Sequence, residues 1–234
     1  MKLAVISDLH LGVGDTTDDF GHTDTEFLRF LARLETDFER IVLLGDVWET
    51  LTARCPYAER EALKHARETH AALASRFERP NYTYIHGNHD LVAGRLEGVP
   101  AELLVDADGV RLLFTHGHHH DWLIRRARWL SESCVWLGAW IRRFGLNAVY
   151  GLGYLLDCQL SRPSVQPTKD SFQNWAFALA EHRRADVVVT GHTHFPLRTQ
   201  RRANLFLNSG SCSLGRLSYL AIDTKAGIYD VCSA

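Results

Sequence analysis

Five short apolar runs in this 234-residue chain each end abruptly in a cluster of aspartate, asparagine or histidine. Leu3–Ser7 leads into Asp8-Leu9-His10, Ile41–Leu44 into Gly45-Asp46, and Tyr82–His86 into Gly87-Asn88-His89-Asp90. Arg111–Thr115 leads into His116-Gly117-His118, and Asp186–Thr190 into Gly191-His192-Thr193-His194. Runs of this length, rich in Val, Ile, Leu and Tyr, suit strands buried on both faces. Stretches with helical spacing lie between them, at Thr25–Leu34 and roughly Tyr57–Phe77. The alternation predicts a layered α/β arrangement. In such sheets ligands gather beyond the carboxyl ends of the strands, so the five clusters can converge on one crevice. Shorter strand-like pieces follow at Leu205–Leu207, Leu217–Ile222 and Ile228–Val231, punctuated by turn residues at Asn208-Ser209-Gly210 and Lys225-Ala226-Gly227.

The clusters carry metal chemistry. Asp8/His10 and His192/His194 are spaced i, i+2, which puts both side chains of each pair on one side of an extended segment. Glycine directly precedes Asp46, Asn88 and His192, allowing sharp turns and close approach to a small ligand. The donor set mixes carboxylate, amide oxygen and imidazole, which suits Mn²⁺, Fe²⁺ or Zn²⁺ better than a thiophilic ion. Asp46 stands alone in its cluster and is the natural bridge between two cations, a pair that can hold a phosphoryl group and activate water.

Composition narrows the alternatives. The net charge of −2 provides no whole-chain basic footprint for nucleic acid. Cys55, Cys134, Cys158, Cys212 and Cys232 are scattered without a CxxC pair, against a disulfide framework or a cysteine-rich zinc site. The apolar start is interrupted by Asp8, too early for a signal-peptide core, and no stretch reaches the ~18 apolar residues of a membrane span. The expectation is one cytoplasmic domain spanning residues 1–234, with peripheral contact at the inner membrane face as a variant of it.

The ordered motifs Asp8-x-His10, Gly45-Asp46, Gly87-Asn88-His89-Asp90, Thr115-His116-Gly117 and Gly191-His192-Thr193-His194 resemble those of the calcineurin-like metallophosphoesterases. The resemblance covers Asp8 to His194, with further similarity at Asn208-Ser209-Gly210-Ser211. It implies a four-layer αββα sandwich and two divalent metal ions, Mn²⁺ foremost, with Fe²⁺ or Zn²⁺ as alternatives. Asp8, His10, Asp46 and His194 would hold one ion; Asp46, Asn88, His116 and His192 would hold the other. His89 would contact the phosphate and protonate the leaving oxygen, with Asp90 orienting it. His118 is expected either to support the site or to touch the substrate, the plainer alternative being a solvated loop residue. His22, His65, His70 and His182 are expected at the surface, and His86 as a structural residue.

Residues 120–177 lack strand character and hold five of the six tryptophans, which predicts a helical cap inserted into the core. Read as one helix over Asp121–Arg143, Trp122, Trp129, Trp136 and Trp140 fall within a narrow arc at ~100° per residue. Arg128, Ser131, Glu132, Arg142 and Arg143 form the opposite, polar side. The plain expectation is that the tryptophan stripe packs inward, on the core or on a second helix from Leu146–Leu156. The sharper one makes Trp129 and Trp136 substrate contacts in a cap that shelters an acyl chain or rests on a membrane. A cap at this point resembles the UDP-2,3-diacylglucosamine hydrolases, which implies a lipid-linked pyrophosphate substrate; this chain departs from them at His89 and His118. The alternatives are a nucleic-acid or small-molecule phosphodiesterase, and a metal-dependent scaffold that binds a partner through the Trp-rich face.

Overall fold

The first sheet grows outward from β1 (Lys2–Ile6), which pairs in parallel with β2 (Arg40–Leu44), itself parallel to β3 (Tyr82–Ile85). On the other side of β1, β9 (Ser218–Asp223) and β10 (Ile228–Ser233) add antiparallel. The second sheet runs in the order β4 (Glu102–Ala107), β5 (Val110–Thr115), β6 (Val187–Thr190), β8 (Asn204–Asn208), β7 (Leu197–Arg201). Its three inner strands are parallel, and its two edge strands antiparallel. This computed structural model describes residues 1–160 and 169–234, with side chains outside 154–160.

Alternation along the strands builds the layers. Leu3 and Val5 of β1, Val42 and Leu44 of β2, and Ile85 of β3 face Leu112, Phe114, Val187, Val189 and Leu207 of the second sheet. The opposite faces of the same strands, with Ala4, Ile6, Ile41 and Leu43, lie under α1 (Asp24–Asp37), α2 (Glu59–Thr69) and α3 (Ala71–Phe77). On the far side, Leu113, Val188 and Phe206 take Ala176, Phe177 and Ala180 of α8 (Ser171–Arg183). The expected αββα sandwich is therefore present. Strands buried on both faces explain why the sequence shows continuous apolar runs there and not alternation.

The two strands that the sequence reading lacked are β4 and β7. Both are edge strands with one side in water; β7 has no apolar run, and in β4 the run is only Leu103–Val105. A stronger signal for β4 was the Asp108-Gly109 pair, whose residues both have positive φ (52° and 80°) and close the β4–β5 hairpin.

The helix expected over Tyr57–Phe77 is two helices, because His70 breaks it at φ −108°, ψ 43°. This histidine was expected at the surface and is buried instead. Its Nδ1 lies 2.6 Å from Asp24 Oδ1 and its Nε2 3.9 Å from Asp18 Oδ2. Burial would push its pKa down, but Asp18 and Asp24 more than reverse that and hold it above the ordinary histidine value. A folded pKa above the unfolded ~6.5 stabilises the fold fully at lower pH, and the benefit is lost as pH rises through the folded value. His70→Gln is therefore expected to cost about 1–2 kcal/mol near pH 6. In urea unfolding the gap from the parent protein should narrow by pH 9; a gap independent of pH would mean that His70 is neutral in the fold.

The cap is not one continuous helix. A 3₁₀ turn at His118–His120 leads into α4's successor α5 (Trp122–Arg126), with α4 itself at Leu91–Glu97 after β3. At Ala127 the backbone leaves helical space (φ −140°, ψ 47°), separating Trp122 from α6 (Arg128–Arg143), which is followed by α7 (Asn147–Leu160). α6 follows the plain expectation only in part: Trp136 and Trp140 are half-buried with their Nε1 atoms covered, while Trp129 is exposed. Its inner side holds Ala139, Arg128, Glu132 and Arg143, and Trp129, Leu130 and Leu137 face water. Two ion pairs fix that orientation: Arg142 Nη1 to Asp19 Oδ1 at 2.6 Å and Arg143 Nη2 to Asp15 Oδ2 at 3.0 Å. Arg143 also donates to the Thr52 carbonyl at 2.6 Å, so α6 is bolted to the loops after both β1 and β2. Leaving a large apolar side chain in water forgoes roughly 1.5–3 kcal/mol relative to burial. Tyr150 of α7 packs against Gly138 of α6; the side chains of Tyr154, Leu155 and Leu156 lie outside the described residues. The stretch read as insertion up to Phe177 ends earlier, since α8 packs on the second sheet.

Candidate metal centre

All five clusters meet where the carboxyl ends of β1, β2, β3, β5 and β6 converge between the two sheets. Asp8 Oδ1 stands 3.1 Å from His194 Nε2 and 3.9 Å from His116 Nε2. Asp46 Oδ2 stands 3.1 Å from His116 Nε2 and 4.0 Å from His10 Nε2, midway between the two groups. Ligand atoms of Asp8, His10 and His194 gather within 4.8 Å of one another, as do those of Asp46, His116 and His192. These triads are drawn from the two sets expected from the sequence.

The backbone here is unusual. Asp8, His10, Asp46, His192 and His194 all have positive φ, between 50° and 69°. Non-glycine residues adopt this region at a cost, which the surrounding structure must hold in place. Packing leaves no room for a side chain at Gly87, where an added Cβ would sit 2.6 Å from the Asp46 amide nitrogen. The tail segment supports the first and last clusters. Asn208 Nδ2 donates to the Gly191 carbonyl at 2.6 Å, and Ser209 Oγ lies 2.7 Å from Ser7 Oγ, which in turn donates to Asp8.

Several buried polar atoms have no hydrogen-bond partner: Asp8 Oδ1, His10 Nε2, Asn88 Oδ1 and His116 Nε2. An unsatisfied buried group costs about 1–3 kcal/mol, and all four atoms, unpartnered among the described residues, belong to the two expected ligand sets. The other ring nitrogens are engaged: His116 Nδ1 lies 2.9 Å from the Leu44 carbonyl and His10 Nδ1 3.2 Å from Glu49 Oε2. Each Nε2 is thereby turned toward the centre, the arrangement usual for histidines that hold a metal. Carboxylate, amide oxygen and imidazole together fit divalent cations.

Electrostatics follow the same division. Burial opposes charge on Asp46, but His116 and His89 hold its carboxyl well below the usual range. Burial would lower the His116 pKa, yet Asp46 and Asp8 raise it to about 9. His192 is lowered to about 3 by burial and by the neighbouring His116, which leaves its lone pair free.

Glu49 is the residue that sequence reasoning missed. Its Oε2 accepts from both His10 Nδ1 and His89 Nδ1, the latter at 2.7 Å, and its Oε1 accepts from the Leu51 amide at 2.8 Å. With both oxygens engaged it acts as an orienting anion. Burial would raise its pKa, but His89 and His10 bring it down to about 2. The signal was a single acid inside the buried segment Val47-Trp48-Glu49-Thr50. Asp90, expected to orient His89, is committed elsewhere: it accepts from the amides of Val47 (2.7 Å) and Gly87 (2.6 Å) and from the Tyr84 hydroxyl (2.6 Å). It locks the β2 and β3 loops together, and Glu49 takes the orienting position. His89 itself is raised to about 10, because Glu49 and Asp46 outweigh the burial that opposes its charge.

His118 is buried, with Nδ1 unpaired, and its pKa is pushed far down by burial and by His116 and His119. It lines a cavity of about 150 Å³ with Asn88, Leu51, Ile124 and Arg128. A second cavity of about 410 Å³ is lined by Leu51, Trp129, Trp136 and Leu137. Both cavities include Leu51 and Glu132 in their linings.

A family described as Calcineurin-like phosphoesterase has a model that matches residues 1–196. No curated protein matches the chain. Among solved structures, a novel archaeal phosphodiesterase is 16% identical, with 100% of each chain covered and a TM-score of 0.49. Yfce, a phosphoesterase from E. coli, is 19% identical over 100% of this chain and 99% of its own, with a TM-score of 0.45. Vps29 from Chaetomium thermophilum is 14% identical over 100% and 94%, with a TM-score of 0.49.

Proposed function

The chain belongs to the calcineurin-like phosphoesterase family and is a metal-dependent phosphoesterase, and we propose that it hydrolyses a phosphate ester or anhydride carrying an apolar arm. The observation that carries the hydrolytic part is that four buried donors and acceptors of the expected ligands, Asp8, His10, Asn88 and His116, lack a hydrogen-bond partner among the described residues. Asp8, His10, Asp46 and His194 would hold one cation, and Asp46, Asn88, His116 and His192 the other, with Mn²⁺ proposed ahead of Fe²⁺ or Zn²⁺. Bound there, the pair supplies charge neutralisation at the phosphoryl group and lowers the pKa of a water so that it is nucleophilic near neutral pH.

The chain's own residues do the rest. His89 has Nδ1 held by Glu49, which fixes the ring and leaves Nε2 as the proton donor to the leaving oxygen. The His89 amide donates to Asp46 Oδ1 at 2.8 Å, so the acid and the bridging carboxylate are set in register. His118, neutral and buried beside Asn88, is placed to contact the substrate. Two cavities that share Leu51, one beside Asn88 and one beside Trp129 and Trp136, support an apolar arm on the substrate, as in a nucleotide-linked lipid such as UDP-2,3-diacylglucosamine.

Chain length tests the substrate class. Trp136→Ala is expected to lower kcat/KM for a long-chain phosphodiester about tenfold more than for its short-chain counterpart, the scale of a few buried methylenes. Equal losses on both would exclude an apolar arm in the groove.

A further inference from the structure

We propose that the outward face of the cap, formed by α6 and the start of α7, docks on an anionic lipid surface. α6 turns part of its apolar stripe to water, with Trp136 and Trp140 half-buried at its edge. At ~100° per residue, Trp129, Leu130 and Leu137 share one arc, continued past the last turn by Phe144. They lie in water, Trp129 at 66% and Phe144 at 74% exposure. The charged side is turned inward, with Arg143 only 11% exposed and Arg142 16%. α7 continues the apolar surface through Val149 and Leu152, the latter 62% exposed. Scattered exposed apolar residues are ordinary; a contiguous set of this size marks an interaction surface.

The ion pairs to Asp15 and Asp19 matter here because they hold α6 with Trp129 and Leu137 in water. Charge selects the occupant. Between residues 121 and 153 there are five arginines against Asp121 and Glu132, in a chain whose net charge is −2. Arg128, Arg142 and Arg143 are paired with Glu132, Asp19 and Asp15. Arg125 and Arg126 make no ion pair among the described residues and are exposed beside Trp122, itself 69% exposed. Apolar aromatic residues flanked by free arginines suit the boundary of a bilayer that carries anionic headgroups. No helix among the described residues is long and apolar enough to cross a membrane, so the cap would lie on the surface. Trp129 and Leu137 of this face also line the larger of the two cavities.

Vesicle co-sedimentation of the full chain tests the docking. Binding to phosphatidylcholine vesicles containing phosphatidylglycerol is expected to exceed binding to phosphatidylcholine alone by about tenfold and to fall with salt. The double variant Val149→Glu/Leu152→Glu and the single variant Arg126→Glu should each lose binding while keeping turnover of a small soluble ester. Asp46→Asn should bind vesicles like the parent protein, which separates docking from the hydrolytic reading. Absence of binding, equal binding to neutral and anionic vesicles, or undiminished binding by both variants would overturn the proposal. So would a solution dimer that Val149→Glu/Leu152→Glu dissociates, since a second copy would then cover the face.

Discussion

Asp46→Asn is expected to reduce turnover at least about a thousandfold, equivalent to about 4 kcal/mol of transition-state stabilisation, with the fold retained. The substitution is nearly isosteric and Asn keeps an oxygen for the His89 amide, so the loop geometry survives. What disappears is the negative charge that lies between His10 and His116 on opposite sides of the centre. Among the described residues no other carboxylate reaches both: Asp8 faces His116 and His194, and Glu49 faces His10 and His89. Steady-state kinetics beside a thermal unfolding curve provide the check. Turnover within tenfold of the parent protein would show that Asp46 is not the bridge.

The second large effect concerns His89. His89→Ala is expected to lower kcat by about 10²–10⁴ on esters of poorly acidic alcohols, the usual scale for a lost general acid. On a p-nitrophenyl ester, whose leaving group departs without a proton, the loss should be about tenfold or less. That dependence on the leaving group distinguishes a proton donor from a residue that only shapes the site. Glu49→Gln should reproduce the same dependence in weaker form, because it loosens His89 without removing it. A uniform loss across leaving groups would contradict the acid role.

The site was more legible in the sequence than the cap. Each metal-type cluster stands at the end of a strand whose apolar run is unbroken, so position and chemistry were marked together. Glu49 and Asp90 show the limit of that reading. Both are buried acids near the same histidine, and only the three-dimensional path of the β2 loop decides which one touches it. The break at His70 depends on Asp18 and Asp24, residues distant in sequence, which periodicity cannot register. In the cap, the tryptophan stripe was visible, but its direction was not. An amphipathic helix normally buries its apolar side; here arginine pairs with Asp15 and Asp19 hold Trp129 and Leu137 in water while Trp136 and Trp140 are half-buried, and those partners lie more than a hundred residues earlier. Of the edge strands, β7 lacks an apolar run and β4 has only Leu103–Val105, although Asp108-Gly109 announced β4.

Metal content per chain, measured on the purified protein and on Asp46→Asn after dialysis against Mn²⁺, tests the dinuclear centre most directly. Two ions per chain are expected for the parent protein, and one or none for Asp46→Asn, with activity restored to chelator-treated protein as the second ion binds. Full turnover in protein holding one ion or none would contradict the two-metal site.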